Sequence, residues 1–257
     1  MIKFFRHIRQ RLVTDPPERA VSVRAGSKFS KYLLYAIGEI ILVVIGILIA
    51  LQINDWNENR KNQIRESKIL NNLREDLERT KLNLETTIAE YPEYINRIEA
   101  KINYIGMESD SLTTEMKQNI SDTGVPIVNI VDGSINALLG SEKLELISND
   151  SLKLMLTEYP TFVSRHKEVE EKLQNVLLDI HRPVLERYFS LTDRIENEKD
   201  KFPNLKKRAI PSDFNNLMKD RAYQNVLVNE RYHLIYTEAS AKELLSKTIK
   251  ILDKTKM

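Results

Sequence analysis

The chain has 257 residues, with 39 Lys and Arg against 37 Asp and Glu, so its charge is nearly balanced. Only 7 Gly and 8 Pro argue against an all-β sandwich or a Gly-rich nucleotide fold and favour long helices. With no cysteine, disulfide scaffolds, thiolate zinc sites, iron–sulfur clusters and a cysteine nucleophile are excluded.

The basic N-terminal segment comes first. Residues 1–31 carry eight Lys and Arg against Asp15 and Glu18. Within it, Ile2, Phe4, Phe5, Ile8, Leu12 and Val13 fall on one broad side of a short helix over 2–13, with Lys3, Arg6, His7 and Gln10 opposite. Such a helix suits an anionic lipid surface. The alternative is a basic tail without helical order that only sets orientation. Pro16 and Pro17 end the pattern.

Tyr32 to Ile53 reads YLLYAIGEIILVVIGILIALQI. A helix of this length spans about 33 Å at ~1.5 Å per residue, enough for the ~30 Å hydrocarbon core of a bilayer. A helix also satisfies its own backbone in lipid. Tyr32 and Trp56 stand at the ends, where amphipathic rings prefer the interface. The rival readings are a buried helix of a soluble core and a cleaved signal peptide. An uninterrupted apolar run this long is rare in soluble domains, and no small-residue cleavage site follows it. The expectation is therefore an uncleaved signal anchor in a bacterial inner (plasma) membrane. The short basic tail places the N-terminus in the cytoplasm and residues 54–257 outside it, in the periplasm.

Glu39 stands inside this span, and a carboxylate there is a candidate functional group by default. It shares a helical stripe with Tyr32, Tyr35, Leu42, Gly46, Ile49, Ile53 and Trp56. Gly46 and Ala50 form a small-xxx-small pair that admits a second helix at close range. Tyr35, Glu39, Leu42, Gly46, Ile49, Ala50 and Ile53 are therefore the expected helix–helix interface in the membrane, with a protein partner or a second copy. The bland alternative has Glu39 reaching the headgroups without a specific role.

Two further segments complete a pattern. The stretch YAIGEIILVVIGILIALQINDWNE (Tyr35 to Glu58), preceded by KFSKYLLYAIGEI, resembles a bacterial family of single-span membrane proteins of unknown function. LLGSEKLELISNDSLKLML (Leu138 to Leu156) and DFNNLMKDRAYQNVLVNERYHLIY (Asp213 to Tyr236) look like that family's middle and late segments. Asp15 to Ser27 looks like extra linker beside the family's shorter tail. The resemblance implies inner-membrane anchoring and a helical domain. It implies no activity.

Beyond the span, Leu70, Leu73, Leu77, Leu84 and Ile88 recur at helical spacing, and Tyr91, Ile95, Ile98, Ile102 and Ile105 resume the stripe after Pro92 is met. Pro92 is expected to kink or restart the helix, and Gly106 to stop it. Asp110 is expected to cap a short helix to about Asn119. Val125 to Val131 reads as a buried loop between helices, with a short strand as the alternative. Ser134 to Leu139 reads as one or two helical turns ended by Gly140. Asn149 or Asp150 caps the next helix, which Pro160 interrupts. Phe162, Val169, Leu173, Val176, Ile180, Val184 and Leu191 then form a stripe, with a kink at Pro183. Glu196 to Pro211 is a charged linker, Ser212-Asp213 starts a short helix, and a last helix runs from about Tyr223 to Lys254. The expected fold is all-α: a transmembrane helix (32–53) continuing into a bundle of about four antiparallel helices with small inserts (54–257).

Nothing in this pattern asks for catalysis. No phosphate-binding glycine loop, nucleophile elbow or H-E-x-x-H is present. Glu230-x-x-His233 is half of a di-iron bundle motif without its second half. Lys206, Lys207 and Arg208 form a small basic cluster, read as a solvated linker and not as a nucleic-acid site. No cofactor or metal is expected. The expected role is a non-enzymatic scaffold, interaction or sensing module of the cell envelope. The alternative is an accessory subunit of a membrane transport or secretion complex that uses Glu39.

Overall fold

The structure is a computed structural model that describes residues 26–193, 201 and 210–256. The candidate tail helix over 2–13, the cluster Lys206 to Arg208 and the Tyr32 side chain lie outside the described residues and side chains. The described residues are mostly helical, with no strand among them. Two compact units divide between Lys61 and Asn62.

Helix α1 covers Gly26–Asn103, 78 residues. The described part of the first unit is its stretch up to Lys61. Among the described residues it is the one helix long and apolar enough to cross a membrane. From Leu33 to Ile53 its large apolar side chains are between 45% and 63% exposed.

In the second unit, Leu70, Leu73, Leu77, Leu84, Tyr91 and Ile98 of α1 are buried, as the spacing predicts. Pro92 lies inside α1 without ending it. Local geometry disfavours a mid-helix proline by ~3 kcal/mol. Burial of Tyr91 and Ile98 on either side outweighs that penalty. The same holds at Pro160, which sits inside helix α4 between buried Tyr159 and Val163. Gly106 does end the first turn after α1: its φ is +81°, and its N–H donates to Met218 O at 3.0 Å.

Short elements follow. The expected cap at Asp110 falls in a 3-10 turn, Ser109–Ser111, and Thr113 instead caps α2 (Thr114–Ser121) by accepting from Met116 N. Helix α3 (Gly133–Leu139) ends at Gly140, as expected. Asn149 caps α4 (Asp150–Asn175) by accepting from Leu152 N at 3.0 Å. Beyond a π-helical segment, Val176–His181, lies the short α5 (Arg182–Leu185). Asp213 caps α6 (Phe214–Lys219), and Asp220 caps α7 (Arg221–Lys254).

The π segment corrects one expectation. It adds a residue to the turn, so the inward position assigned to Ile180 passes to His181. Ile180 is 46% exposed and His181 is fully buried. Leu191 is likewise exposed. Pro183 gives the physical reason for the wider turn. In α geometry its ring would collide with the carbonyl four residues back, and it has no N–H to donate.

The described residues of the second unit hold three long helical stretches where about four were expected: the C-terminal half of α1, α4 with its π extension, and α7. Arg74 reaches Thr255 and Arg231 reaches Glu99, so α1 and α7 are antiparallel. Tyr159 meets Thr248 and His181 meets Glu230, so α4 and α7 are antiparallel too. Helices α1 and α4 are therefore parallel, and the chain must return between them. The stretch 122–132, here called the strap, makes that return. It runs antiparallel to α1, from Asp122 beside Arg97 and Lys101 to Val131 beside Thr80. It is the loop between helices that Val125 to Val131 suggested, though only Pro126 and Val128 within it are buried and Ile127 is exposed.

Candidate functional site

Two groups of residues carry candidate chemistry, one in each unit. In the first unit Tyr35, Glu39, Leu42, Gly46, Ile49, Ala50, Ile53 and Trp56 are all exposed. At 100° per residue, Tyr35, Glu39, Leu42, Gly46, Ile49, Ile53 and Trp56 fall on one face. A Cβ added at Gly46 meets nothing within 4 Å, so the backbone there is open to close approach. This face is an apolar ribbon with one carboxylate in it.

The second group is the polar content of the bundle core, which the sequence reading missed. His166 on α4 is fully buried, with Nδ1 3.3 Å from Ser240 Oγ on α7 and Nε2 3.8 Å from Glu170 Oε1. Burial holds the His166 imidazole down to about 4, so the ring is neutral at ordinary pH. Glu170 is 8% exposed, and its Oε1 accepts from Val128 N at 2.7 Å. Burial raises its carboxyl above the usual range, and the Val128 N–H and Lys167 pull it part of the way back. Tyr91 of α1 is fully buried, and burial followed by the charge of Glu170 pushes its phenol up.

Further along, His181 Nδ1 hydrogen-bonds Glu230 Oε2, and both side chains are buried. The Tyr223 ring lies 5.8 Å from the His181 ring, and its phenol is raised by burial and then by Glu230. Tyr159 OH and Thr248 Oγ1 are 3.0 Å apart; burial raises that phenol to about 12 against the lowering effect of the Thr248 bond. Among the described residues six buried side-chain polar atoms have no hydrogen-bond partner: Tyr91 OH, His166 Nε2, His181 Nε2 and Tyr223 OH in this group, and Arg97 Nε and Asn119 Oδ1 outside it.

The Glu230-x-x-His233 pair is not brought together as a ligand set. Glu230 faces the core and His181, whereas His233 is half-buried and stacks edgewise against Tyr232 at 6.3 Å. The local signal nearest the His181–Glu230 pair is Pro183, two residues beyond the wider turn that carries His181 inward.

No curated protein and no solved structure matches the chain. Residues 39–159, from Glu39 through the strap to Tyr159, match a family model described as Family of unknown function (DUF6090), and the late segment Asp213 to Tyr236 lies outside that match.

Proposed function

We propose that this chain is a single-pass protein of a bacterial inner membrane, held with its N-terminus in the cytoplasm and its helical domain in the periplasm. The domain serves as a non-enzymatic scaffold, interaction or sensing module. One observation supports this most: the apolar run from Leu33 to Ile53 is exposed along its whole described length. Soluble monomers rarely expose a contiguous apolar patch larger than a few hundred Å², and lipid is the medium that such a helix suits. The strongly perturbed acid–base groups His166 and Tyr223 are sealed in the core, which favours a structural role for them over turnover.

The cysteine-free sequence makes the topology test clean. Single cysteines at Thr14 and at Ser246, an exposed position on α7, are labelled in whole cells with an impermeant maleimide. Labelling at Ser246 alone supports the reading. Labelling at Thr14 alone reverses it, and recovery of the protein in the soluble fraction removes it.

The exposed Glu39 on an otherwise apolar face supports a second reading, an accessory subunit whose Glu39 pairs with a cation on a partner helix. Glu39→Gln and Glu39→Leu decide it. Loss of a co-purifying protein from both stable variants favours the complex, and unchanged co-purification rules it out.

A further inference from the structure

Among the described residues of the second unit, the strap is the one long stretch that runs between helices without a helical ladder of its own. Its backbone is held by side chains. Thr80 Oγ1 donates to Val131 O and accepts from Val131 N, each at 2.9 Å, and Asn83 donates to Asn129 O at 2.7 Å. From α4, Glu170 Oε1 accepts the Val128 N–H, and Lys167 reaches Asp132 at 3.2 Å. The Glu170 oxygen that holds Val128 is the one 3.8 Å from the unpartnered Nε2 of His166. A proton can reach that nitrogen only if something moves. Helices α1, α4 and α7 carry the apolar core, so the strap is the neighbour with the lowest local stability.

We propose that the strap, residues 122–132, is an acid-opened cover over His166: when the ring takes a proton, the strap leaves its seat between α1 and α4.

Each element packed around the ring contributes groups that bear on this. Glu170 of α4 and Ser240 of α7 face the ring itself; around them Lys167 of α4 reaches Asp132 of the strap, and the charges of Glu170, Glu238 and Glu90 act on the Tyr91 phenol of α1, with Glu238 held by Lys242 at 2.6 Å. Tyr91 stays neutral through the acid range. His166 has its ring held at about 4 while covered, against 6.5 for a solvated ring. A base depressed in the closed state favours closure fully above 6.5 and loses that preference as pH falls toward 4. The open-to-closed ratio therefore rises by about 80-fold at pH 4.5 relative to its value well above 6.5, toward a limit of about 300-fold well below pH 4. Glu170 works in the opposite direction, because its raised carboxyl binds a proton more tightly in the closed state. It offsets part of the His166 effect.

The test uses the full chain in lipid nanodiscs, with spin labels on Leu82→Cys and Ile127→Cys, which are 63% and 58% exposed on α1 and the strap. Electron–electron double resonance should give one narrow distance distribution at pH 8 and a second, longer population near pH 4.5, with helical circular dichroism unchanged. His166→Gln should keep the single narrow distribution at both pH values. Glu170→Gln should show a larger open population than wild type at the same acid pH, since the opposing group is gone. Thr80→Val, which loosens the strap without touching the ring, should open at higher pH than wild type. A wild-type distribution unchanged at pH 4.5, an open population that persists in His166→Gln, or helix loss in step with opening would each overturn the proposal. If His166→Gln fails to fold, Thr80→Val decides, and opening at the wild-type pH overturns it.

Discussion

Removing one partner of the His181–Glu230 pair and removing both should have opposite consequences. The two side chains are 0% and 1% exposed, and they satisfy each other through Nδ1 and Oε2. His181 Nε2 already lacks a partner, so Glu230→Leu leaves an imidazole with both nitrogens unpaired in the core. His181→Leu strands a buried carboxylate instead. Breaking a buried pair by removing one member costs about 3–5 kcal/mol. A unit the size of 62–257 shifts its melting temperature by roughly 2–4 °C per kcal/mol, so each single variant should melt on the order of 10 °C lower. The double variant His181→Leu/Glu230→Leu removes both polar groups and should fall within about 1 kcal/mol of wild type. Thermal melts of the full chain in detergent, followed by circular dichroism, provide the cycle. If each single variant loses under about 1 kcal/mol, or if the double variant loses the sum of the two, the pair is not the isolated buried couple described here.

Three further outcomes follow from burial and backbone geometry. Leu77→Ala removes a fully buried side chain of α1 and should lower the urea midpoint by an amount equivalent to about 2–5 kcal/mol. Ile180→Ser should change stability by less than about 0.5 kcal/mol, because the π segment turns Ile180 outward at 46% exposure, whereas Val176→Ser at 6% should lose about 2 kcal/mol or more. If Ile180 proves the costlier site in paired melts, the wider turn is wrong. Gly106→Ala meets no atom within 4 Å, so only its φ of +81° is strained, and a loss of about 1 kcal/mol is expected in chemical denaturation.

Caps and apolar stripes were legible in the sequence because their signals are local. Asn149, Asp213 and Gly140 act at the positions where residue type alone places them. Leu227, Leu234, Ala241 and Leu252 recur at helical spacing on α7 and are buried, while Leu245 and Ile249 of the same stripe are only partly buried. The helices continue through Pro160, where an interruption was expected, and through Pro92 without a restart, because a local penalty is outweighed there by burial. At Pro183 the same penalty was resolved differently, by widening the turn: Ile180 and Leu191 turn outward and His181 inward, while Val184 stays buried as its spacing predicts. The first unit's stripe was legible as a face of one helix, since its period is 3.6 residues and it needs no long-range contact. The core pairs His181–Glu230 and Glu170–Val128 were not, because their partners are 49 and 42 residues apart and no periodicity records a distance.

The polar interruptions of the α1 stripe do carry long-range information once the parallel α1/α4 arrangement is known. Leu70, Leu77, Leu84, Tyr91 and Ile98 repeat every seven residues and stay apolar throughout. The companion seam reads Leu73, Thr80, Thr87, Tyr94 and Lys101, apolar at its start and polar beyond it, yet Thr80, Thr87 and Lys101 are buried. A helix packed on that seam would bring its own satisfied backbone and would need apolar partners. An extended chain brings unpaired N–H and C=O groups, which must be met by side chains. Thr80 meets Val131, and Lys101 meets the Asp122 carbonyl, so the polar part of the seam follows the path of the strap. A buried heptad seam that turns from leucine to threonine and lysine is thus the sequence mark of a groove closed by bare chain, and it explains why the strap fills the place of an expected fourth helix.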